Sequence, residues 1–599
     1  MRLKAKPGSG VANPSFMKLD DMLTFDWQVA VGSEFISYSE FEQLVGNRSG
    51  LVKIKDQYVL VDPSDLAKLQ KQLSKPPELT GAEILRAALA EEFHGNRVGI
   101  SAEVRDLLKQ FTEAEPHPLP DHLHAQLRPY QVRGYDWLAK NIALGMGSIL
   151  ADDMGLGKTL QVITLLLRFK QEGRFQKQKG LVVLPTTLLT NWQKEITRFA
   201  PDLSAHVYHG PNRKLPERAD AAGRKSGDVD LILTTYGVVR SDLETLKKTT
   251  WAVLIIDEAQ NIKNSDTEQT KAVKALKSQV RIALSGTPVE NRLSEFWSIM
   301  DFVNRGYLGG LSKFNEEFGK PIQQERDRQK LDLFRRVTGP FLLRRVKTDK
   351  TIISDLPDKI ENNQYCSLTS EQAALYESVV QESMRAIEEK DGIARRGLVL
   401  KLMTALKQIG NHPRQYLKKG PDQAALSGKA QMLLNLLETI YASHEKVLIF
   451  TQYKEMGDLL QGFIQQAFGQ EPLFLHGGTS RADRDEMVEM FQKNRSDHTF
   501  ILSLKAGGTG LNLTQANHVI HYDLWWNPAV ENQATDRAFR IGQTKNVVVY
   551  RLMNQGTLEE KIDAMIRSKK ELADLSVKTG ETWLGDLSDD ELKELVSLG

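Results

Sequence analysis

Twice along this chain of 599 residues, short apolar β-type runs alternate with helical segments, and that habit constrains the fold more than any other feature. The first series is SILA (148–151), GLVVLP (180–185), DLILTTY (230–236), AVLIID (252–257) and RIALSG (281–286). The second is KVLIF (446–450), LFLHGG (473–478), TFILSL (499–504), HVIHYD (518–523) and NVVVYRLM (546–553). A run that is apolar throughout, rather than at alternate positions, suits a strand buried on both faces, and helices between such runs supply the cover. The pattern predicts an α/β protein with two parallel-sheet lobes, over 117–300 and 427–570. Residues 301–426, which include LFRRVTGPFLLRRVKTDK, are charge-rich with helical periodicity and are predicted to form protrusions around the interlobe link.

The flanks read differently. Residues 1–22 are rich in Gly, Ser, Pro and Lys and are expected to be mobile. Residues 23–116 are expected to form a small α+β accessory domain. It contains a strand at WQVAVG, a helix start at Ser37 and Glu40, paired strands across 51–61, and helix starts at Asp62-Pro63 and at Thr80 with Glu83. The Pro- and His-rich run 117–129 reads as a linker with solvated histidines rather than metal ligands. The tail, 571–599, ends in a segment with six acids against one lysine, predicted to be a short solvated helix.

Composition narrows the class without naming a partner. Lys and Arg total 79 against 77 Asp and Glu, so any nucleic-acid surface must be a local patch rather than a global field. The single cysteine, Cys366, excludes an intramolecular disulfide and any zinc site that needs two thiolates. No apolar run approaches the ~18 residues of a membrane span, and the N-terminus lacks a signal-peptide core, so the chain reads as cytoplasmic.

The chemistry is concentrated in ADDMGLGKT (151–159) and DEAQ (257–260). A glycine-rich loop between a strand and a helix wraps phosphate with backbone N–H groups; here the loop holds Asp153, Gly155 and Gly157. Lys158 supplies positive charge for the β and γ phosphates, and Thr159 a hydroxyl for Mg²⁺. Asp257 and Glu258 close a buried strand, which puts two carboxylates at the C-terminal edge of a parallel sheet, where such folds bind ligands. Asp257 is assigned to Mg²⁺ through water, and Glu258 to orienting and deprotonating the attacking water.

With these motifs in order, the chain resembles the Swi/Snf-type DNA translocases of helicase superfamily two, as a bacterial-type member. The resemblance runs through nearly all of 125–570. It rests on LRPYQVRGYDWL, the P-loop, DEAQ, LSGTPVEN (284–291), FLLRRVKTDK with DLPDK, KQIGNHP with SGKA, SLKAGGTGLNLT (503–514) and WWNPAVENQATDRAFRIGQ (525–543). It implies two tandem RecA-like lobes, ATP with Mg²⁺, and a duplex DNA track. It makes Gln131 the adenine contact and Arg537 with Arg540 the arginines facing ATP. Their three-residue spacing is read as one side of a helix. Thr186, Thr235, Tyr236, Gly508 and Thr509 match segments that line the track. Trp526 either inserts near the strand or packs in the lobe interface. Arg344, Arg345 and Lys347 are read as phosphate contacts or as a solvated helical face.

Two departures stand out. Gln260 replaces a histidine that many members carry, which leaves open how this position communicates with LSGTPVEN. The zinc-binding module of the SWIM type, frequent at the N-terminus of bacterial members, is missing, so the chain is a short form or a truncated one. The expected function is an ATP-dependent duplex-DNA translocase, for which intact Lys158, Glu258, Arg537 and Arg540 argue, acting as a monomer on DNA in the cytoplasm and nucleoid. DNA-bound proteins or RNA polymerase are its expected further partners, with no membrane and no zinc. A strand-separating helicase and an ATP-gated DNA clamp or scaffold remain as alternatives.

Overall fold

The structure is a computed structural model of the full chain. It describes residues 116–216, 229–286, 293–347, 356–494, 498–503, 511–572 and 587–599, residues 349 and 352, and short pieces before residue 116. Two compact units are present. The first comprises Met1–Ala151, Thr159–Ser285 and Arg292–Arg344, and the second Asp152–Lys158, Gly286–Asn291 and Arg345–Gly599.

The first unit is built on seven parallel strands: β1 (Ser148–Leu150), β2 (Gly180–Leu184), β3 (Ala205–Val207), β4 (Leu231–Thr235), β5 (Thr250–Ile256), β6 (Lys277–Leu284) and β7 (Leu342–Leu343), in the order β3-β4-β2-β5-β6-β1-β7. β1, β2 and β4 are buried along their whole length and β5 from Trp251 onward, as uninterrupted apolar runs require. Helices lead away from the ends of these strands: α2 (Pro129–Ala143) precedes the sheet, α3 (Lys158–Gln171) follows β1, α4 (Leu189–Phe199) follows β2 and α5 (Tyr236–Ser241) follows β4. Ahead of them, α1 (Gly81–Ala90) buries Ile84, Leu85, Ala87 and Ala88, and its Arg86 pairs with Glu317 while lying over the Phe318 ring.

Several short strands lie in the N-terminal region. The expected strand at WQVAVG is Gln28–Val31, and the pair across 51–61 is the antiparallel hairpin Gly50–Ile54 with Gln57–Val61. The helix starts at Ser37–Glu40, Asp62-Pro63 and Thr80 lie at least partly outside the described residues. Arg2–Ala5 departs from the expected mobile terminus. It forms a strand that pairs antiparallel with Leu23–Asp26 and parallel with Gly99–Ile100, because its backbone groups find ladder partners on both sides.

The second unit has its own six-stranded parallel sheet: β8 (Lys359–Cys366), β9 (Val447–Thr451), β10 (Leu473–Leu475), β11 (Thr499–Ser503), β12 (His518–His521) and β13 (Val547–Asn554), in the order β8-β13-β12-β9-β11-β10. Every described pairing in it is parallel. Long helices α6 (Ser370–Glu388) and α7 (Gly392–Asn411) stand beside the sheet, and α8 (Pro528–Thr535) follows β12. The ten strands read from the sequence are all present. β3, β7 and β8 are additional: each lacks the continuous apolar signal, and β8 (KIENNQYC) is a polar edge strand.

The acidic tail corrects the expectation of a solvated helix. Helix α9 (Asp589–Val596) starts in a capping box at Ser588 and Glu591 and buries Leu592, Leu595 and Val596 in a cluster with Leu402, Leu406 and Ile562. Arg395 donates to Asp589 Oδ1 (2.6 Å) and Lys593 pairs with Glu388 (2.8 Å), so charge directs the polar face while three aliphatic residues hold the other. Among the described residues no helix is long and apolar enough to cross a membrane. Replacing Leu592, which has no exposed surface, by alanine is expected to destabilise the second unit by about 2–5 kcal/mol. Denaturant melts measure the loss, and unchanged stability would return α9 to the solvated class.

Candidate nucleotide site

Strand register sets the site in the first unit. Leu150 of β1 lies beside Leu284 of β6, and Ala283 of β6 beside Ile256 of β5. The C-terminal ends of these three strands therefore share one edge of the sheet, from which the chain leaves toward the glycine-rich loop, toward Asp257 and toward Ser285. Asp257 and Glu258 are both buried there, at 8% and 6% exposure.

Asp257 is held on both carboxylate oxygens and on its backbone, whose amide donates to the Val183 carbonyl (2.9 Å). Its Oδ1 accepts from the Glu258 amide (2.8 Å), its Oδ2 from the Trp192 indole N–H (2.8 Å), and its carbonyl from the Tyr236 hydroxyl (2.7 Å). Burial first, then the charges of Asp257 and Glu258, push the Tyr236 hydroxyl far above its ordinary range, which keeps it a donor. Glu258 adopts left-handed torsions (φ 53°, ψ 59°), a conformation that costs a non-glycine residue about 1–3 kcal/mol. Its carboxylate accepts from Gln260 Nε2 (2.6 Å), and the Gln260 carbonyl accepts from the Ser285 hydroxyl (3.4 Å). The amide thus spans from Glu258 to the LSGTPVEN segment, donating at one end and accepting at the other. Thr159 is the second residue of α3 and half-buried. Gln131 is buried in the first turn of α2, where its Oε1 accepts from the Arg128 amide (2.9 Å).

In the second unit the loop 152–158 is wrapped by its own lysine. Lys158 Nζ donates to the carbonyls of Asp152 (2.5 Å) and Asp153 (3.2 Å), and Gly155 and Gly157 take left-handed φ values of 83° and 73°. Asp152, fully buried, accepts a two-pronged contact from Arg345 through Nε (2.9 Å) and Nη2. The Asp153 amide donates to the Arg345 carbonyl (3.0 Å), and its Oδ2 accepts from the Lys347 amide (3.0 Å). Lys347 in turn pairs with Asp536 Oδ1 (2.7 Å) and donates to the Phe539 carbonyl. Burial lowers the Lys347 ammonium and raises the Asp536 carboxyl, each offset in part by the other's charge. Arg345 and Lys347, read from sequence as phosphate contacts or a solvated face, are instead interior ion-pair partners, while Arg344 is exposed.

The arginines are also placed differently from expectation. Helix α8 ends at Thr535, so Arg537 and Arg540 lie in the turns beyond it rather than on one helical face. Arg537 is buried, and its carbonyl accepts from the Leu513 amide (3.0 Å). Arg540 is half-buried and donates to the Leu511 carbonyl (3.0 Å). A Cβ built on Gly155 meets Arg540 Cβ at 2.4 Å, so this glycine is needed for close approach as well as for its torsion.

Of the residues assigned to a DNA track, Thr186 is exposed in the turn after β2. Thr235 is buried, and its hydroxyl caps α5 by accepting from the Val238 amide (3.4 Å); Tyr236 is buried against Asp257. Trp526 packs in the helical cluster with the Lys407 ammonium 3.4 Å from its ring centre. Gly508 and Thr509 lie outside the described residues. Sequence reasoning missed Trp192 and the Arg345–Asp152 pair. An aromatic residue on the buried face of an amphipathic helix carries no mark of its partner, and the paired charges are 193 positions apart.

In the second unit, left-handed glycines and a lysine folded over the loop suit phosphate, and in the first, a hydroxyl in the first turn of α3 and two fixed carboxylates are the donor types that a divalent cation takes. A strand, glycine-rich loop and helix combined with a carboxylate-ended strand of the same parallel sheet define a P-loop nucleotide-binding protein.

Comparison with known proteins is consistent with this class. The family model described as "SNF2-related domain" matches residues 130–415, "Helicase conserved C-terminal domain" matches 428–542, and "SNF2 Helicase protein" matches 1–89. The chain is 42% identical over 622 aligned positions to the putative ATP-dependent helicase/translocase YwqA of Bacillus subtilis, covering 100% of this chain and 67% of that protein. It is 33% identical to the TATA-binding protein-associated factor mot1 of Aspergillus fumigatus, covering 84% of this chain and 30% of the relative. A solved structure of the Sulfolobus solfataricus SWI2/SNF2 ATPase core in complex with dsDNA is 43% identical, covering 81% of this chain and 100% of that one, with a TM-score of 0.40. The chain belongs to the SNF2 family of ATP-dependent helicases and translocases.

Arg345→Ala leaves Asp152 buried without its counter-charge, an expected loss of about 3–5 kcal/mol in chemical denaturation. Arg345→Lys keeps the charge but loses the fork, and is expected to recover only part of that stability.

Proposed function

We propose that this protein is an ATP-dependent double-stranded DNA translocase, which couples hydrolysis to movement along duplex DNA and displaces bound proteins without separating strands. The observation that carries the reading is the shared sheet edge. β2 and β5 are neighbours, so the exposed turn at Thr186 leaves the sheet beside the strand that ends in Asp257 and Glu258. Family membership and the helicase/translocase name of the Bacillus relative support it.

In this reading Lys158 gives up its contacts to the loop carbonyls for the β and γ phosphates of ATP, and Gln131 recognises the adenine. Mg²⁺, when bound with Thr159 and Asp257, neutralises charge on the phosphate oxygens. Glu258 orients the attacking water and takes its proton, and Gln260 ties that carboxylate to Ser285. Arg537 and Arg540 place positive charge against the γ-phosphate as charge builds in the transition state. Thr186, Gly508 and Thr509 meet the phosphates of the duplex through hydroxyl and backbone groups, which hold any sequence equally. We place this work on DNA in the cytoplasm, with DNA-bound proteins as the obstacles.

Arg540→Ala is expected to leave ATP affinity nearly unchanged while DNA-saturated hydrolysis falls by ~10³ or more. Lys158→Ala weakens both. A wild-type rate for Arg540→Ala would remove that residue from the catalytic set.

Movement is tested by obstacle displacement. With ATP and a flanking duplex, the protein is expected to strip the third strand from a triplex, and a fork without an obstacle stays paired. Glu258→Gln binds DNA but displaces nothing, because the carboxylate that activates water is gone. Efficient fork unwinding supports the strand-separating helicase instead, and ATP-dependent DNA binding without displacement supports a clamp.

A further inference from the structure

Asp257 is gripped from two directions by side chains that each stand close to an exposed turn. After β2 the chain turns at Thr186–Leu188, with Thr186 and Thr187 exposed, and enters α4. Trp192, in the first turn of α4, has no exposed surface, and its indole N–H reaches Asp257 Oδ2 at 2.8 Å. After β4 the chain enters α5 at Tyr236, and the next residue, Gly237, is exposed. The Tyr236 hydroxyl reaches the Asp257 carbonyl at 2.7 Å. β4, β2 and β5 are consecutive in the sheet, so both turns and the carboxylate emerge along one edge.

The two grips act on different atoms. Tyr236 holds the Asp257 backbone at its carbonyl, while the Asp257 amide donates to the Val183 carbonyl of β2 (2.9 Å), and Trp192 holds one carboxylate oxygen, whose partner oxygen accepts from the Glu258 amide. A small shift of either turn therefore reaches Asp257 through a single rigid side chain. Neither Trp192 nor Tyr236 faces solvent, so neither has a contact of its own to make with a polymer.

We propose that Trp192 and Tyr236 are positioning residues through which duplex DNA seated on the turns at Thr186 and Gly237 sets the geometry of Asp257. The inference rests on the translocase reading and specifies how that site is regulated: the polymer acts on the carboxylate that receives the cation, rather than on the phosphate loop. Binding energy from the backbone phosphates is converted into nucleotide affinity, and by linkage the bound nucleotide changes affinity for the duplex by the same factor.

Trp192→Phe and Tyr236→Phe each remove one hydrogen-bond donor and keep the ring. The measurement is the affinity for a fluorescent ADP analogue with Mg²⁺, with and without saturating duplex, alongside thermal melts, DNA affinity and ATPase rates. In the wild-type chain duplex DNA is expected to shift nucleotide affinity by about 5-fold or more, within the usual range of coupling between sites. In each variant the shift is expected to shrink below about 2-fold, with DNA affinity close to wild type and a cooperative thermal melt, at a lower temperature, that shows the chain is folded. Because both act on one residue, the double variant loses little beyond the more severe single change. A full duplex-induced shift in both variants, in a protein whose turnover is still stimulated by duplex, overturns the coupling and leaves the translocase reading standing. A wild-type chain whose turnover ignores duplex DNA overturns the reading itself. If one variant fails to fold, the other decides, since either grip alone carries the prediction.

Discussion

Burial of β5 on both faces is the constraint from which the site follows. Trp251 to Ile256 are all enclosed, so no charged side chain is tolerated until the strand reaches the sheet edge, and the first residue there is Asp257. Parallel pairing then sets what stands beside it. β6 delivers Ser285, β2 delivers the Thr186 turn, and β1 delivers the start of the glycine-rich loop, all at the same end because all run the same way. An antiparallel partner at any of these positions would send its neighbouring loop to the opposite edge.

The carboxylates in this region are stabilised by being over-specified. Asp257 has donors on both oxygens, Glu258 holds a strained backbone and an amide partner, and Asp152 meets the planar fork of Arg345. Each buried charge is offset by an oriented donor or an opposite charge, which is the condition under which burial is tolerated. Removing one partner therefore has a larger effect than the net strength of any single bond.

Much of this was legible in the residues. Runs such as GLVVL and AVLII are readable because continuous burial demands continuous apolarity, and the loop and carboxylate motifs are readable because phosphate chemistry demands their spacing. β3, β7 and β8 escaped because Ala205–Val207 is half-buried, Leu342–Leu343 is two residues long and KIENNQYC faces solvent. The arginines were placed on a helix from spacing alone, which does not record where α8 stops. Likewise, a lysine and an arginine in a basic run look like surface charge until the acids they meet, Asp536 and Asp152, are brought to them by folding.

The glutamine at position 260 has a consequence beyond geometry. An imidazole in its place would gain and lose a proton near neutrality, and with it the ability to donate and accept at once. A primary amide has no such titration: its N–H faces Glu258 and its oxygen faces Ser285 at any pH in which the protein is folded. The link between the water-activating carboxylate and the segment after β6 is therefore insulated from acidity, and any neutral-range pH dependence of turnover has its origin in some other group.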